Sequence, residues 1–167
     1  MISVRDYVCR VKDHRHSAEE VSDLNSIVLM RHGAFSKHFE KRVVTADVNQ
    51  ATFFTKDSVY RVSHPTDCGD RCTTIVVAPS ILTDIIRELD PTVVEHPEQP
   101  FPFVTGPCSP EIFWRHREFV RRLEIAEASP LEPLWADVTG LQLIADVLEA
   151  AFIHSGRETR KRLSTVA

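Results

Sequence analysis

The sequence lacks a long apolar run and an excess of positive charge. No apolar stretch reaches the roughly 18 residues that a membrane-spanning helix needs, and residues 1–10 lack the hydrophobic core of a secretory signal. Acidic residues number 24 against 20 basic ones, and the formal net charge of −4 is not the basic footprint of a duplex-binding domain. These absences predict a cytoplasmic protein without a membrane partner and without direct DNA contacts in this chain.

The sequence also lacks the short motifs that mark common catalytic sites. It contains no Gly-x-Ser-x-Gly elbow, no phosphate-binding loop, no dinucleotide-binding glycine pattern and no His-Glu-x-x-His. Four cysteines are present, and in a cytoplasmic protein they are expected to be reduced. We therefore favour a binding module over an enzyme, and we interpret the cysteines as core residues, metal ligands or redox groups.

Short apolar runs rich in β-branched and aromatic residues fill the chain as far as Val77, and they predict seven strands. The predicted strands are Tyr7–Val11, Ser26–Arg31, Ala34–Phe39, Val43–Ala46, Ala51–Phe54, Val59–His64 and Cys72–Val77. Turn residues separate neighbouring runs, as in a meander or a barrel rather than in βαβ units. The pattern predicts a partly closed antiparallel barrel within residues 1–107.

The apolar spacing becomes helical after the last of these strands. Apolar residues at four-residue steps predict a short helix over about residues 79–89. Five prolines between residues 90 and 108 then exclude a helix, although Phe101–Val104 is compatible with an edge strand. Ser109 is a candidate N-cap for a second helix, because a proline follows it at the first helical position.

The predicted fold class is α+β, with an antiparallel barrel followed by an antiparallel helical hairpin. Residues 1–107 form the barrel with its short helix, and residues 108–156 form the helical segment. Four of the six residues in Arg157–Arg162 are basic, so residues 157–167 are interpreted as a basic linker.

The last predicted helix, at about Leu131–His154, carries an apolar seam in which the residues lie alternately four and three positions apart. The seam consists of Leu134, Val138, Leu141, Ala145, Leu148 and Phe152. This spacing is typical of helices that pack as a coiled coil. A second apolar stripe lies on another side of the helix, so the helix has two surfaces to cover. We expect the seam to form a homodimer, and packing on the preceding helix stays open as the alternative.

One polar turn joins the strands Val59–His64 and Cys72–Val77. The main candidate metal-binding or redox residues lie in this turn and at its two ends. His64, Cys68 and Cys72 are expected near one end of this hairpin, and alternation makes Cys9 a candidate fourth ligand. Thiolate and imidazole groups suit zinc, copper(I) or other soft ions. The alternative is that Cys9 and Cys72 are buried core residues and that His64 is a hydrogen-bonded strand end.

Several short segments together resemble the cupin-like sensing domain of AraC-type bacterial transcription regulators. They are Ile27–Phe35, Ala46–Asp47, Phe53–Phe54, Tyr60–Pro65 and Gly69–Thr73. The resemblance extends over nearly the whole chain and matches the first two parts of such regulators, a barrel that senses a small molecule and helices that dimerise. The third part, a pair of DNA-binding helix-turn-helix motifs, has no counterpart in this sequence.

The resemblance implies a sensing and dimerisation domain that responds to a small-molecule or metal effector. The residues expected to face that effector are Tyr60, Val62, Phe53 or Phe54, and His38. The effector would favour one arrangement of the barrel against the helices. If the chain is a truncated sensor, DNA would be contacted only through a helix-turn-helix region missing from this chain; the alternative is a free-standing homologue that works by pairing.

A metal-dependent cupin enzyme is the alternative, because His14, His16 and Glu20 follow the His-x-His-x3-Glu core of the metal motif in such enzymes. Imidazoles two residues apart on a strand point the same way, and a nearby carboxylate completes a site for iron, manganese or zinc. The flanking glycines and the second histidine motif of those enzymes are missing. A soft-metal or redox sensor built on His64, Cys68 and Cys72 is a further alternative.

Overall fold

The computed structural model describes residues 2–11, 15–126 and 133–156. Across these ranges the chain forms nine strands, three α-helices and one 3-10 turn at Pro91–Glu95. The strands are β1 (Ile2–Cys9), β2 (Glu20–Val21), β3 (Ser26–His32), β4 (Phe35–Phe39), β5 (Arg42–Ala46), β6 (Gln50–Phe54), β7 (Val59–Ser63), β8 (Asp70–Val77) and β9 (Thr105–Pro107). The helices are α1 (Pro79–Arg87), α2 (Pro110–Ala126) and α3 (Pro133–His154).

The strands form two antiparallel sheets that face each other. The larger sheet has the order β1-β8-β3-β6-β9, and the smaller one has the order β2-β7-β4-β5. The prediction of an antiparallel α+β fold is confirmed, and the expected barrel takes the form of a two-sheet sandwich rather than a closed cylinder. Within the described residues, no helix combines the length and the apolar character that crossing a membrane requires.

The central strand β3 is buried at six of its seven positions because the larger sheet is covered on both faces. Ile27 and Leu29 pack against the helices on one face. Val28 and Met30 point the other way, into a smaller cluster shared with the four-stranded sheet. The fold therefore has two apolar layers, and the layer between the sheets contains the candidate site.

The two edge strands of the larger sheet differ from the prediction. β1 extends over Ile2–Cys9, whereas the predicted strand was Tyr7–Val11. β1 is an edge strand with one exposed face, and its charged residues weaken the apolar pattern from which a strand is predicted. The other edge strand is β9 at Thr105–Pro107, not Phe101–Val104. Gly106 in β9 lies so close to Ala151 of α3 that a side chain would overlap it, which explains a glycine there.

The two long helices run antiparallel and pack on the larger sheet. Arg115 near the start of α2 pairs with Asp146 late in α3, whereas Arg122 stacks on Trp135 at the start of α3. Ser109 caps α2 as predicted, since its Oγ accepts a hydrogen bond from the backbone N–H of residue 112 at 3.3 Å.

The predicted seam of α3 divides into two parts. Leu148 and Phe152 are buried in the core that the helices share with the larger sheet. Leu134 and Val138 remain 67% and 59% exposed. The second stripe, which contains Gly140, Ile144, Val147 and Ala151, faces the sheet. The basic stretch at residues 157–167 lies outside the described residues.

Candidate ligand cavity and thiol-imidazole-carboxylate group

A cavity of about 600 Å³ lies between the two sheets. Its apolar wall is formed by side chains from both sheets: Val28, Phe35, Phe54, Tyr60 and Val62. Its polar end is formed mainly by β1, β8 and the residue after β7: Tyr7, Cys9, His64, Asp70 and Cys72. The cavity therefore offers a mostly apolar, aromatic wall with the Cys9, His64 and Asp70 side chains at one end, and Arg15, His16 and Glu20 also line it.

The structure brings three of the predicted ligand-facing residues, Phe54 among them, to this cavity and places two elsewhere. Tyr60 and Val62 line it. Phe53 instead faces the helices, because the side chains of β6 alternate and Phe54 takes the inward position. His38 does not line the cavity: its Nε2 lies 2.7 Å from the Ser63 hydroxyl, and its ring stacks 4.0 Å from that of His16. Burial, followed by His16, lowers the pKa of His38.

A buried lysine behind the aromatic wall was not predicted. The Nζ of Lys37 donates a hydrogen bond to the backbone carbonyl of Phe53 at 3.1 Å and lies 3.8 Å from the centre of the Phe54 ring. Burial lowers its pKa to about 8. Burial, and then the nearby Glu20, raise the pKa of Tyr60 to about 12. At neutral pH this part of the wall therefore contains a mostly protonated lysine and a neutral phenol.

Three side chains at the polar end form a connected group. His64 Nε2 lies 3.4 Å from Cys9 Sγ, and His64 Nδ1 lies 2.6 Å from Asp70 Oδ2. Cys9 and Asp70 are directly opposite each other in the β1–β8 ladder, and His64 follows the last residue of β7. Gly69 has a φ of +69° and lies against the backbone carbonyl of Cys9, so a side chain there would overlap this strand.

Burial controls the electrostatics of the group. Asp70 is only 4% exposed, and burial raises the pKa of its carboxyl, whereas the hydrogen bond from His64 opposes that rise. The hydrogen bond that the Nδ1–H of His64 donates to Asp70 fixes the imidazole so that Nε2 faces the sulfur. The arrangement can orient an imidazole against a thiol at the end of an apolar cavity.

The predicted metal set of Cys9, His64, Cys68 and Cys72 does not come together as a whole. Donor atoms of Cys9, His64 and Asp70 all lie within 4.8 Å of one another, so these three residues could hold a metal ion. Cys68 is exposed, and its sulfur contacts Thr66 and the carbonyl of Gly69 instead. Cys72 is buried, and burial raises its pKa to about 12. Asp70 was missed, although it shares a strand face with Cys72.

The other predicted metal motif lies partly outside the described residues, and its two described members, His16 and Glu20, both line the cavity. His14 lies outside the described residues. His16 packs against His38, and Glu20 lies beside Tyr60 at the cavity.

Comparisons with known proteins give a likeness of fold. No protein-family model matches the chain, and no curated protein matches it significantly. An apo ToxT variant from Vibrio cholerae strain SCE256 superposes with a TM-score of 0.67 at 8% identity, over 94% of this chain and 58% of ToxT. ToxT from Vibrio cholerae O395 gives a TM-score of 0.51 at 9% identity, over 87% of this chain and 54% of ToxT.

A third structure is ToxT from Vibrio cholerae O395 bound to a methylnaphthalenyl butenoic acid. It superposes with a TM-score of 0.51 at 8% identity, over 89% of this chain and 58% of ToxT. The chain thus spans little more than half the length of these proteins. Its fold is that of a part of ToxT, an AraC-family regulator, as the resemblance in the sequence implied.

Proposed function

We propose that this chain is the ligand-sensing domain of an AraC-type transcription regulator and that a small molecule binds between its two sheets. The observation that carries the proposal is the cavity of about 600 Å³, which has aromatic walls and polar groups in its lining. Ligand pockets typically have this size and this mixture of apolar lining with a few polar groups. The fold shared with ToxT, which binds an aryl butenoic acid in one structure, supports the same reading.

The lining restricts the chemistry of the effector. Phe35, Phe54 and Val62 provide an apolar surface, so the body of the effector is alkyl or aromatic. His64 and Tyr7 provide hydrogen-bonding groups at the polar end, so one polar head group such as a carboxyl or a carbonyl fits there. The effector class is therefore a small amphiphile.

The effector acts by favouring one arrangement of the sheets against the helices, and it must bind the two arrangements unequally to do so. β1 connects the two regions. Cys9 at one end of β1 lines the cavity, and Ile2 at the other end donates its backbone N–H to Asp137 of α3 at 3.3 Å. In this proposal α3 contributes to a homodimer, and a helix-turn-helix region outside this chain binds DNA.

A cavity-filling substitution tests the proposal. In thermal unfolding with dodecanoic acid or a naphthyl butenoic acid, we expect the melting temperature of the wild-type chain to rise by several degrees, as saturating ligand adds about 2 to 3 kcal/mol. Val62→Trp should abolish the rise because indole fills the apolar half of the cavity. Val43→Trp is the matched control, since Val43 is a strand valine that is 60% exposed. Equal rises in all three proteins would contradict binding in the cavity.

A soft metal ion is the second candidate effector, and the proximity of Cys9, His64 and Asp70 favours it. However, Asp70 already accepts the hydrogen bond of the imidazole. Only Cys9 Sγ and His64 Nε2 of this group then remain as metal ligands, whereas zinc usually binds three or four protein ligands. Equilibrium dialysis against zinc tests this alternative. One tightly bound ion per chain, lost in Cys9→Ala but retained in Cys68→Ala, would support it.

A further inference from the structure

The Cys9 thiol, the His64 imidazole and the Asp70 carboxylate have the geometry of a nucleophile, a base and a group that orients the base. The thiol and the imidazole are within hydrogen-bond reach at 3.4 Å, and the imidazole and the carboxylate are separated by 2.6 Å. Enzymes that use a cysteine nucleophile pair it with an imidazole in this way. Binding of an unreactive amphiphile does not require an aligned thiol, imidazole and carboxylate. The alignment is instead that of a group that can react with a ligand.

The carboxylate determines which nitrogen of His64 faces the sulfur as an acceptor. Because the Asp70 oxygen accepts a hydrogen bond, Nδ1 carries the hydrogen and Nε2 presents its lone pair to Cys9. The Asp70 side chain is buried and fixed in the β8 ladder opposite Cys9, so it holds the ring in this orientation. Nε2 is therefore placed to remove the thiol proton.

The other three cysteines lack this arrangement in the described residues. Cys72 and Cys108 are buried, and burial raises their pKa values to about 12 and about 11. Cys68 is exposed and contacts a threonine hydroxyl. Cys9 is also buried, but it differs from them because the residue lines the cavity and its sulfur contacts an imidazole.

We propose that Cys9 is a nucleophile that captures electrophilic small molecules of the α,β-unsaturated carbonyl class in the cavity. The proposal rests on the proposed function and specifies its ligand class. The Cys9 proton passes to His64 Nε2, and the sulfur electron pair forms a bond to the β-carbon of the ligand. The carbon–carbon π pair moves towards the carbonyl as an enolate, and His64 returns the proton to the α-carbon.

The products of this step are a thioether and a neutral imidazole, so no oxidant or reductant is required. An enone with a short alkyl chain matches the cavity, because its chain fits the wall of Phe35, Phe54 and Val62 while its electrophilic carbon reaches the polar end. Covalent capture would convert brief exposure to an electrophile into a lasting change at β1, the strand that contacts α3.

The test compares an electrophile with its saturated analogue on the intact chain. Pentyl vinyl ketone is the reactive probe, and ethyl pentyl ketone is the unreactive control. All proteins carry Cys68→Ser, which removes the exposed thiol. Intact-mass spectrometry measures the rate of adduct formation, and peptide mapping identifies the modified cysteine.

We expect one adduct per chain, formed at Cys9 ahead of Cys72 and Cys108. His64→Gln should slow the reaction by about tenfold or more, because it removes the general base. Asp70→Asn should also slow it, because it removes the acceptor that orients the ring. Both variants should keep the far-UV circular dichroism spectrum and the cooperative thermal unfolding of the Cys68→Ser parent, which separates loss of chemistry from loss of folding.

Preferential modification of another cysteine, or an unchanged Cys9 rate in His64→Gln, would overturn the proposal. A tightly bound metal ion that blocks the reaction would also overturn it, since the group would then be a metal centre. Binding of ethyl pentyl ketone without any adduct from the vinyl ketone would refute the reactive thiol while leaving the proposed sensing function intact. Failure of both ketones to bind would contradict the small-amphiphile cavity itself.

Discussion

His116 shows how packing in this fold changes the pKa of a single side chain. Its imidazole is fully buried (0% exposed) between α2 and the larger sheet, and its Nε2 lies 2.8 Å from the Thr73 hydroxyl. The Nδ1 atom is buried without a hydrogen-bond partner among the described residues. Burial, followed by the positive charges of Arg31 and Arg117, lowers the pKa of His116 to about 3.

Because of this histidine, we expect the folded protein to lose stability in mild acid. Its folded-state pKa of about 3 lies below the ordinary value of 6.5, so between these values the unfolded chain binds more protons than the folded one. The contribution to stability is therefore fully present above pH 6.5 and is lost as the pH falls towards 3. From pH 7 to pH 5 we expect a loss of about 2 kcal/mol from this residue.

Urea unfolding of the wild-type chain and of His116→Gln at both pH values measures this effect. The glutamine keeps a hydrogen-bonding group near Thr73 but does not titrate, so its pH dependence should be shallower by that amount. His32→Gln, at an exposed histidine, is the control. Parallel stability curves for the wild-type chain and His116→Gln would refute the buried neutral imidazole.

Strand alternation explains which site residues were predictable. Tyr60, Val62, Cys9 and His64 follow the period of two, and all four face the cavity. Phe53 and Phe54 are adjacent and both aromatic, so the sequence does not show which of the two faces the cavity. β6 is buried on both faces, and in the structure Phe54 faces the cavity while Phe53 faces the helices. Asp70 was missed because the predicted strand began at Cys72 and a charged residue in a turn is usually exposed, whereas here Asp70 pairs with Cys9 in the β1–β8 ladder and is buried.

At the scale of elements, α3 joins a buried half to an exposed half. Near its end, Leu148 and Phe152 lie in the core, whereas Leu134 and Val138 near its start are exposed. The spacing predicted a seam of six equivalent residues, but spacing alone contains no information on where the sheet ends beneath the helix. The same limit applies to β2 and β9, which are too short to show a period.

The two halves of α3 should respond differently to substitution. If the exposed half forms the proposed homodimer, Leu134→Glu with Val138→Glu should shift the chain from dimer to monomer in analytical ultracentrifugation, with little effect on the melting temperature of the monomer. Leu148→Ala should instead lower the free energy of unfolding by about 2 to 5 kcal/mol, because it leaves a cavity in the core. A wild-type chain that is monomeric at high concentration would contradict the dimer.

At the scale of the molecule, the cavity exists because two sheets with different coverings meet. The larger sheet is closed by helices on its outer face, so its inner face is free to form the cavity with the smaller sheet. β1 and β8 are far apart in the sequence but are neighbours in the larger sheet, where Tyr7 pairs with Cys72. Local patterns predicted antiparallel strands followed by helices, but this long-range pairing and the resulting cavity required the three-dimensional structure.

The central claim is that a small amphiphile binds between the sheets, and amide chemical-shift mapping tests it most directly. A labelled chain would be titrated with dodecanoic acid while its backbone N–H signals are followed. The account predicts saturable shifts at Val62, Cys72 and their neighbours in β7 and β8, and the loss of these shifts in Val62→Trp. Shifts confined to the groove between α2 and α3 around Trp114 and Trp135, with none in the strands, would contradict it.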